Sequence, residues 1–315
     1  MKLSEFDNVL KINYVIKCNS DVFVGSGLNR ILGNPEEIIE FEERTKSMNP
    51  RQLSMVIDKR DFVPINLPNY FLTSDGGEKY FIPGSTIKGL SRSRMEMNSI
   101  DPKCFIVQDG RVKKESTRHR NLFNLTKARY QTNTSCWICK LYGSTNRNIG
   151  RSKINFSDAV MHDGEMKQVV FKDLGTDKYI VFKEGTTLRG RITMYGLSKR
   201  QEALILQSLG MIVKHTRLVG YSKYRIKEDQ DGNQIELGSV QFKLRKIQRY
   251  EANKFGHYDK VLPDLSKLRT NDEIKKAYTD ARKTFKEEMK TYLKLSEDVI
   301  SFDEASMVER GGLRE

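Results

Sequence analysis

Residues 80–94 read Tyr-Phe-Ile-Pro-Gly-Ser-Thr-Ile-Lys-Gly-Leu-Ser-Arg-Ser-Arg, a strand that passes through a Pro-Gly turn directly into a basic helix. Ser85 is placed to cap the N-terminus of that helix, and Gly84 lets another backbone come close. Lys88 and Arg92 lie four residues apart and therefore share a face. Free N–H groups and the positive end of the helix dipole meet there, so the junction can hold a phosphate. The simpler alternative is a capped helix with solvated cations.

The amino-acid composition limits which partners and which class of protein are expected. The 315 residues include 55 Lys and Arg against 41 Asp and Glu, which leaves a net charge of +14. An excess this large favours a polyanionic partner, RNA or DNA, over a generic basic surface. The 37% hydrophobic share can furnish a core. Neither a signal-peptide pattern nor an apolar run of spanning length is present, so we expect a cytoplasmic globular protein.

Alternating apolar and polar residues predict the core of the fold. A strand over 11–18 leads into Gly25-Ser26-Gly27, where two glycines permit the close approach of a ligand. The strand over 188–195 has a basic side, a helix covers 199–214, and a last strand covers 238–247. Strand, helix, strands, helix, strand is the order of a ferredoxin-like (RRM-like) α+β fold.

Two insertions and a tail interrupt or extend this core. Residues 1–250 are predicted to form the core, with an irregular insertion over 28–79 and a basic one over 101–150. Residues 251–315 form a C-terminal extension, built on an amphipathic helix over 271–295. That helix covers either its own sheet or a neighbouring molecule, and the sequence does not choose.

A second glycine-containing loop follows the helix of residues 199–214. There Gly220, Lys223 and Arg225 alternate with tyrosines. Aromatic faces stack on bases while cations meet phosphates, so the loop suits RNA. A hairpin arm would need the same residue types.

The basic insertion contains a candidate metal site. Cys136 and Cys139 form a Cys-x2-Cys pair, and Cys104 and His119 lie upstream in the same insertion. Together the four would form a closed, structural Zn²⁺ site without a position for water. Two reduced thiols or a redox pair are the alternatives.

Several of these motifs occur in one order along the chain: Gly25-Ser26-Gly27, Ile82 to Gly89, Cys136 to Gly143, and Ile154 to Ala159. The order resembles the CRISPR-associated RAMP superfamily. It is most similar to the backbone subunits of type III (Csm and Cmr) effector complexes, whose pattern has Pro-Gly-Ser-Ser-Leu-Lys-Gly, Cys-x2-Cys-x-Leu-Phe-Gly and a strand ending in Asp-Ala. The specific part is Pro-Gly-Ser-x-x-Lys-Gly.

The resemblance implies an RRM-like core with a thumb within residues 28–79, assembled head-to-tail along a CRISPR RNA. Its partners would be CRISPR RNA, target RNA, other RAMP backbone subunits and a large effector subunit. Backbone amides, a helix N-terminus and cations read phosphates without reading bases. The predicted RNA-binding residues are Gly25, Ser26, Gly27, Gly84, Ser85, Lys88, Arg92, Gly220, Lys223 and Arg225.

Cleavage is where the chain departs from the family. Members that cut target RNA place an aspartate in the loop after the first glycine motif, and this chain has Asn34 there. An amide has no negative charge to bind a metal ion and little basicity. The remaining, weak catalytic candidates are Asp58, Asp61, Glu36 and Glu37. A non-cleaving guide-binding subunit is therefore predicted, with a target-RNA endoribonuclease and a non-CRISPR structural RNA-binding protein as alternatives.

Overall fold

The computed structural model describes residues 7–32, 43–52, 63–98, 137–143, 151–172, 178–220, 226–229, 231–253, 257–263 and 270–294. The helices are α1 (Gly84–Asn98), α2 (Trp137–Tyr142), α3 (Lys199–Ser208) and α4 (Asn271–Lys294). The strands are β1 (Asn8–Cys18), β2 (Gly25–Leu32), β3 (Val63–Leu72), β4 (Glu78–Ile82), β5 (Ile154–Phe156), β6 (Ala159–Asp163), β7 (Met166–Val170), β8 (Lys178–Phe182), β9 (Thr187–Tyr195), β10 (Arg217–Leu218), β11 (Ile226–Glu228), β12 (Gln234–Glu236), β13 (Ser239–Ala252) and β14 (Tyr258–Leu262). None of the described helices has both the length and the apolar character required to cross a bilayer.

Within the described residues, twelve strands form one sheet in the order β10-β13-β1-β9-β6-β4-β3-β8-β7. β2, β5 and β14 pair with β3, β9 and β13, while β11 and β12 form a separate hairpin. The predicted α+β class is confirmed. The division into domains stays a prediction, and β13 runs through the boundary at residue 250 to end at Ala252.

The centre of the sheet is β1, which pairs antiparallel with β13 on one side and β9 on the other. Its alternating pattern sends Leu10, Ile12, Tyr14 and Ile16 to one face, where all four are fully buried. Ile87 of α1 belongs to the same apolar core, as do residues of α3. The predicted strand over 11–18 is therefore confirmed, and on its opposite face Lys11, Asn13 and Val15 are partly exposed and Lys17 is exposed.

The closing helix α4 packs on its own chain, which answers the question that the sequence left open. Phe285 and Met289 are buried in the main core. An ion pair of 2.9 Å between Lys199 of α3 and Glu288 of α4 reinforces the contact. Beside it, Arg249 Nη2 of β13 lies 2.5 Å from Glu202 Oε2 of α3. The Arg249 guanidinium is also 6.0 Å from the ring centroid of Phe285. Helix α4 thus completes the layer that covers the helix face of the sheet.

Residues 28–79 contain more regular structure than the sequence predicted. β2 and β3 pair antiparallel, and β3 continues into a hairpin with β4. Pro64 and Pro68 argued against a strand, because proline cannot donate to a ladder. Pro68 is accommodated where it pairs with Gly25, beside an irregularity in the β2–β3 register. Burial of Ile65 and Leu67 explains why the strand forms despite its prolines.

Candidate nucleic-acid interface

The β4–α1 junction has the strand-to-helix geometry that the sequence predicted, but Ser85 does not cap the helix. α1 already begins at Gly84, and the carbonyl oxygen of Pro83 accepts from the N–H groups of Thr86 (2.9 Å) and Ile87 (3.2 Å). Ser85 is exposed within the first turn. The predicted cap is wrong, because a capping residue lies outside the first helical turn.

Asp158 performs the capping from a distant part of the chain. Its Oδ1 accepts a hydrogen bond of 2.8 Å from the Gly84 N–H, so a carboxylate sits at the positive end of α1. A Cβ added at Gly84 would overlap the Phe156 carbonyl oxygen and lie 2.9 Å from the Ser157 carbonyl carbon. A backbone does come close to Gly84 as predicted, and it is the chain's own β5–β6 connection.

Lys88 of α1 forms no ion pair among the described residues. Its side chain is half-buried. Burial, and then the neighbouring charge of Arg92, hold the pKa of Lys88 below its ordinary value. Both effects disfavour the ammonium ion, and an anion placed beside it would oppose them by stabilising the charged form. Lys88 is therefore a partly desolvated cation that forms no ion pair among the described residues.

Gly89 lies next to Lys88 and was not predicted as a site residue. No described atom comes within 4 Å of a Cβ added there. Glycine inside a helix costs about 1 kcal/mol relative to alanine, so its presence calls for a reason other than packing within the described chain. Space for the close approach of a ligand beside Lys88 is such a reason.

Arg92, also predicted to bind RNA, makes contacts within the protein. Its Nη1 donates to the carbonyl oxygen of Gly143 at 3.1 Å, and its Nη2 donates to Cys139 Sγ at 3.4 Å. The half-buried guanidinium thereby ties α1 to α2. Its charge still contributes to the positive potential at Lys88.

The two glycine loops predicted to hold RNA lie against each other. Gly220 has φ of +93°, and a Cβ there would overlap the carbonyl oxygen of Phe23, just before Gly25, Ser26 and Gly27, which the structure places at the start of β2 and not in a loop. Ser26 Oγ donates to the Leu67 carbonyl oxygen at 2.9 Å. Gly27 has φ of +77° and no described atom within 4 Å of an added Cβ. Among these three residues, Gly27 is thus the one with open space around it in the described structure.

Arg94 connects these loops to α1, a role that sequence reasoning missed. Its side chain is fully buried, and Nη2 donates to the Leu218 carbonyl oxygen at 3.2 Å. An arginine in the second half of a basic helix gives no signal that it will be buried, because arginine is rarely found in a core. The contact places residues 218–220 beside the helix that carries Lys88.

The other predicted site residues fall outside the described chain. They are Lys223, Arg225, Cys104, His119, Cys136, Asn34, Glu36, Glu37, Asp58 and Asp61. Of the predicted zinc ligands, Cys139 alone is described, and it is buried. Within the described ranges, no three His, Cys, Asp or Glu side chains are grouped so as to hold a metal ion.

Comparisons with known proteins identify the family. The model of the RAMP superfamily matches residues 15–297. No curated protein matches. Among solved structures, the chain is similar to Csc2 of Thermofilum pendens, with 12% identity, 91% of this chain and 81% of that chain covered, and a TM-score of 0.38.

Proposed function

The chain belongs to the RAMP superfamily, and on that premise we propose that it is a CRISPR RNA-binding backbone subunit of a type III effector complex. In this proposal the β4–α1 junction and the adjoining loops grip guide phosphates and so position target RNA. Phosphate contacts fix the register of a strand without reading its sequence, as a guide of arbitrary sequence requires. Other RAMP subunits and a large effector subunit would be its protein partners.

The observation that carries the proposal is Lys88, a half-buried ammonium that no described carboxylate neutralises. Gly89 leaves space beside it, and Gly27 leaves space at the start of β2. The fold adds support. The order β13-β1-β9-β6, with α1 after β1 and α3 after β9, is the arrangement expected of a ferredoxin-like core.

Replacing Lys88 with glutamine tests the guide site. One lost phosphate contact should lower affinity for single-stranded RNA about fivefold near ~0.1 M salt and reduce the salt slope by about 0.7, whatever the RNA sequence. Fluorescence anisotropy of a labelled oligonucleotide over a salt series measures both quantities. Gly89→Ala should also weaken binding, since its methyl group occupies the free space.

Lys276→Gln is the matched control, because Lys276 is an exposed lysine of α4, away from the junction. It removes the same charge and should leave the slope unchanged. If Lys88→Gln and Lys276→Gln had the same RNA affinity and salt slope, Lys88 would not be a phosphate ligand.

We also propose that Cys104, His119, Cys136 and Cys139 bind a structural Zn²⁺. The one described member is compatible with this, because the Arg92 guanidinium donates to Cys139 Sγ and so favours a thiolate. Such N–H donors to ligand atoms are common around metal centres. We expect about one zinc per chain by elemental analysis, and much less in Cys139→Ser and in Cys104→Ser. Cys18→Ser, another buried cysteine, should retain the metal; equal zinc in all four proteins would exclude the proposed ligands.

A further inference from the structure

The face of the sheet opposite α1 and α3 has a regular composition across three strands. We define the open face as the outward residues of β9, β1 and β13, which pair in register. From one end to the other its rows are Tyr195-Val9-Tyr250, Thr193-Lys11-Gln248, Arg191-Asn13-Lys246, Arg189-Val15-Lys243 and Thr187-Lys17-Gln241. With side chains on one face about 6.8 Å apart along a strand, the five rows span about 27 Å.

The charge on the open face has a single sign. Six of the fifteen positions are Lys or Arg, and none is Asp or Glu. Arg245 adds a seventh cation, because the register between β1 and β13 shifts beside Asn13 and leaves it as an extra, exposed residue. A bulge of this kind re-aims side chains at functional surfaces. The ammonium of Lys246 lies 4.3 Å from the ring centroid of Tyr278 of α4. None of the seven cations forms an ion pair with a described carboxylate, and like charges at this density repel one another, so the face suits an anion.

The cations converge on a cleft. A cavity of about 370 Å³ is lined by Asn13, Ser157, Arg189, Arg191, Arg245 and Lys246, among others. Partial desolvation, and then the charge of Arg245, lower the pKa of Arg189. The guanidinium groups of Arg189 and Arg245 therefore face the same space, from the two strands that flank β1. Planar guanidinium groups of this kind match the oxygens of a phosphate.

The neutral end of the open face offers aromatic rings. Tyr195 and Tyr250 flank Val9; the two rings are half-buried, and Val9 between them is buried. The ammonium of Lys11 in the next row lies 5.0 Å from the ring centroid of Tyr250. Rings interleaved with cations on a sheet are the elements with which proteins bind single-stranded nucleic acid, bases stacking on rings and phosphates meeting cations.

We propose that the open face is a second RNA-binding surface, which takes a short single-stranded segment through Tyr195 and Tyr250 on its bases and Arg189, Arg191 and Arg245 on its phosphates. It is separate from the guide site, since α1 covers the other side of the sheet. An acidic protein is a poorer fit. None of the large, exposed hydrophobic side chains of the described residues lies on this face, and a protein interface has an apolar centre.

The test compares the wild-type chain with two variants, Arg189→Gln/Arg245→Gln and Tyr250→Ala. The control is Lys276→Gln/Lys283→Gln, which neutralises two exposed lysines of α4. Affinity for a labelled single-stranded RNA of roughly 15 nucleotides is measured over a salt series. The arginine double variant should lose about 25-fold near ~0.1 M salt and about 1.4 of the salt slope, at ~0.7 for each phosphate contact. Tyr250→Ala should lose about fivefold or more with the slope unchanged, because stacking does not depend on counterion release.

Photocrosslinking gives an independent readout, since RNA crosslinks should map to Tyr195 or Tyr250 in the wild-type chain. The proposal is overturned if the arginine double variant keeps the RNA affinity and the salt slope of the wild type. It is overturned equally if that variant binds RNA normally and loses only the binding of an acidic sister subunit. Lys88→Gln separates the two sites. If only Lys88→Gln weakened RNA binding, the guide site would be supported and the open face rejected. If only the open-face variants weakened RNA binding, the open face would be supported and the guide site rejected.

Discussion

Gly84→Ala is expected to destabilise the protein by about 3 kcal/mol, the combined cost of overpacking and of a lost helix cap. The added Cβ would overlap the Phe156 carbonyl oxygen and lie 2.9 Å from the Ser157 carbonyl carbon. Neither is the flexible end of a side chain, so α1 would have to move away from the β5–β6 connection. That movement would break the hydrogen bond from the Gly84 N–H to Asp158. Urea denaturation with an unchanged m-value would measure the loss.

Gly89→Ala is the matched control, five residues further along the same helix. A Cβ there meets no described atom within 4 Å, and alanine is the better helix former by up to about 1 kcal/mol. We therefore expect Gly89→Ala to be slightly more stable than the wild type, in the opposite direction from Gly84→Ala. Equal stabilities of the two variants would contradict the close contact between α1 and the β5–β6 connection.

Glu202→Ala should cost about 3–5 kcal/mol, because it leaves the guanidinium of Arg249 buried without its partner. The carboxyl of Glu202 is fully buried, and burial raises its pKa although Arg249 opposes the shift. Lys199→Ala removes a more exposed pair, that of Lys199 in α3 with Glu288 in α4 (2.9 Å), and should cost at most about 1 kcal/mol. Chemical denaturation of both variants measures the difference.

A double substitution tests the physical reason for that cost. Glu202 Oε1 and Arg249 Nε are buried without hydrogen-bond partners within the described structure, so the pair is incompletely satisfied. Glu202→Leu/Arg249→Met should consequently recover most of the stability lost in Glu202→Ala. If the double variant were as unstable as Glu202→Ala, the loss would come from packing rather than from an orphaned charge.

The start of α1 shows where sequence reasoning succeeds and where it stops. Local pattern was enough to predict the strand, the Pro-Gly turn and the basic helix, since each depends on neighbouring residues. The cap was assigned to Ser85, the nearest suitable side chain, while the structure uses Asp158, 74 residues away. No spacing rule links an N–H group to an acceptor on a distant strand, so this contact required the fold.

The roles of the basic residues in α1 are equally hard to predict from local sequence. Lys88 and Arg92 share a helix face and were assigned the same role, yet Arg92 donates to Gly143 and Cys139. Arg94, two residues on, is buried against Leu218. A basic residue in a sequence is consistent with solvent, with a phosphate or with a carbonyl oxygen of the chain, and tertiary packing decides among them.

The open face was predictable in part. Alternation in residues 188–195 indicated a basic side of one strand, with Arg189 and Arg191 together. That β1 and β13 add their own cations beside it, in register and without a carboxylate, depends on the order β13-β1-β9. The bulge that exposes Arg245 has no sequence signal of its own.

The most direct test of the account is photocrosslinking mass spectrometry of the complex purified through this chain. We predict that the chain copurifies with RNA of uniform length and with sister subunits, and that crosslinked peptides include those containing Lys88 and residues 25–27. Heterogeneous RNA, or crosslinks that avoid the β4–α1 junction entirely, would contradict the proposal that this junction grips a guide.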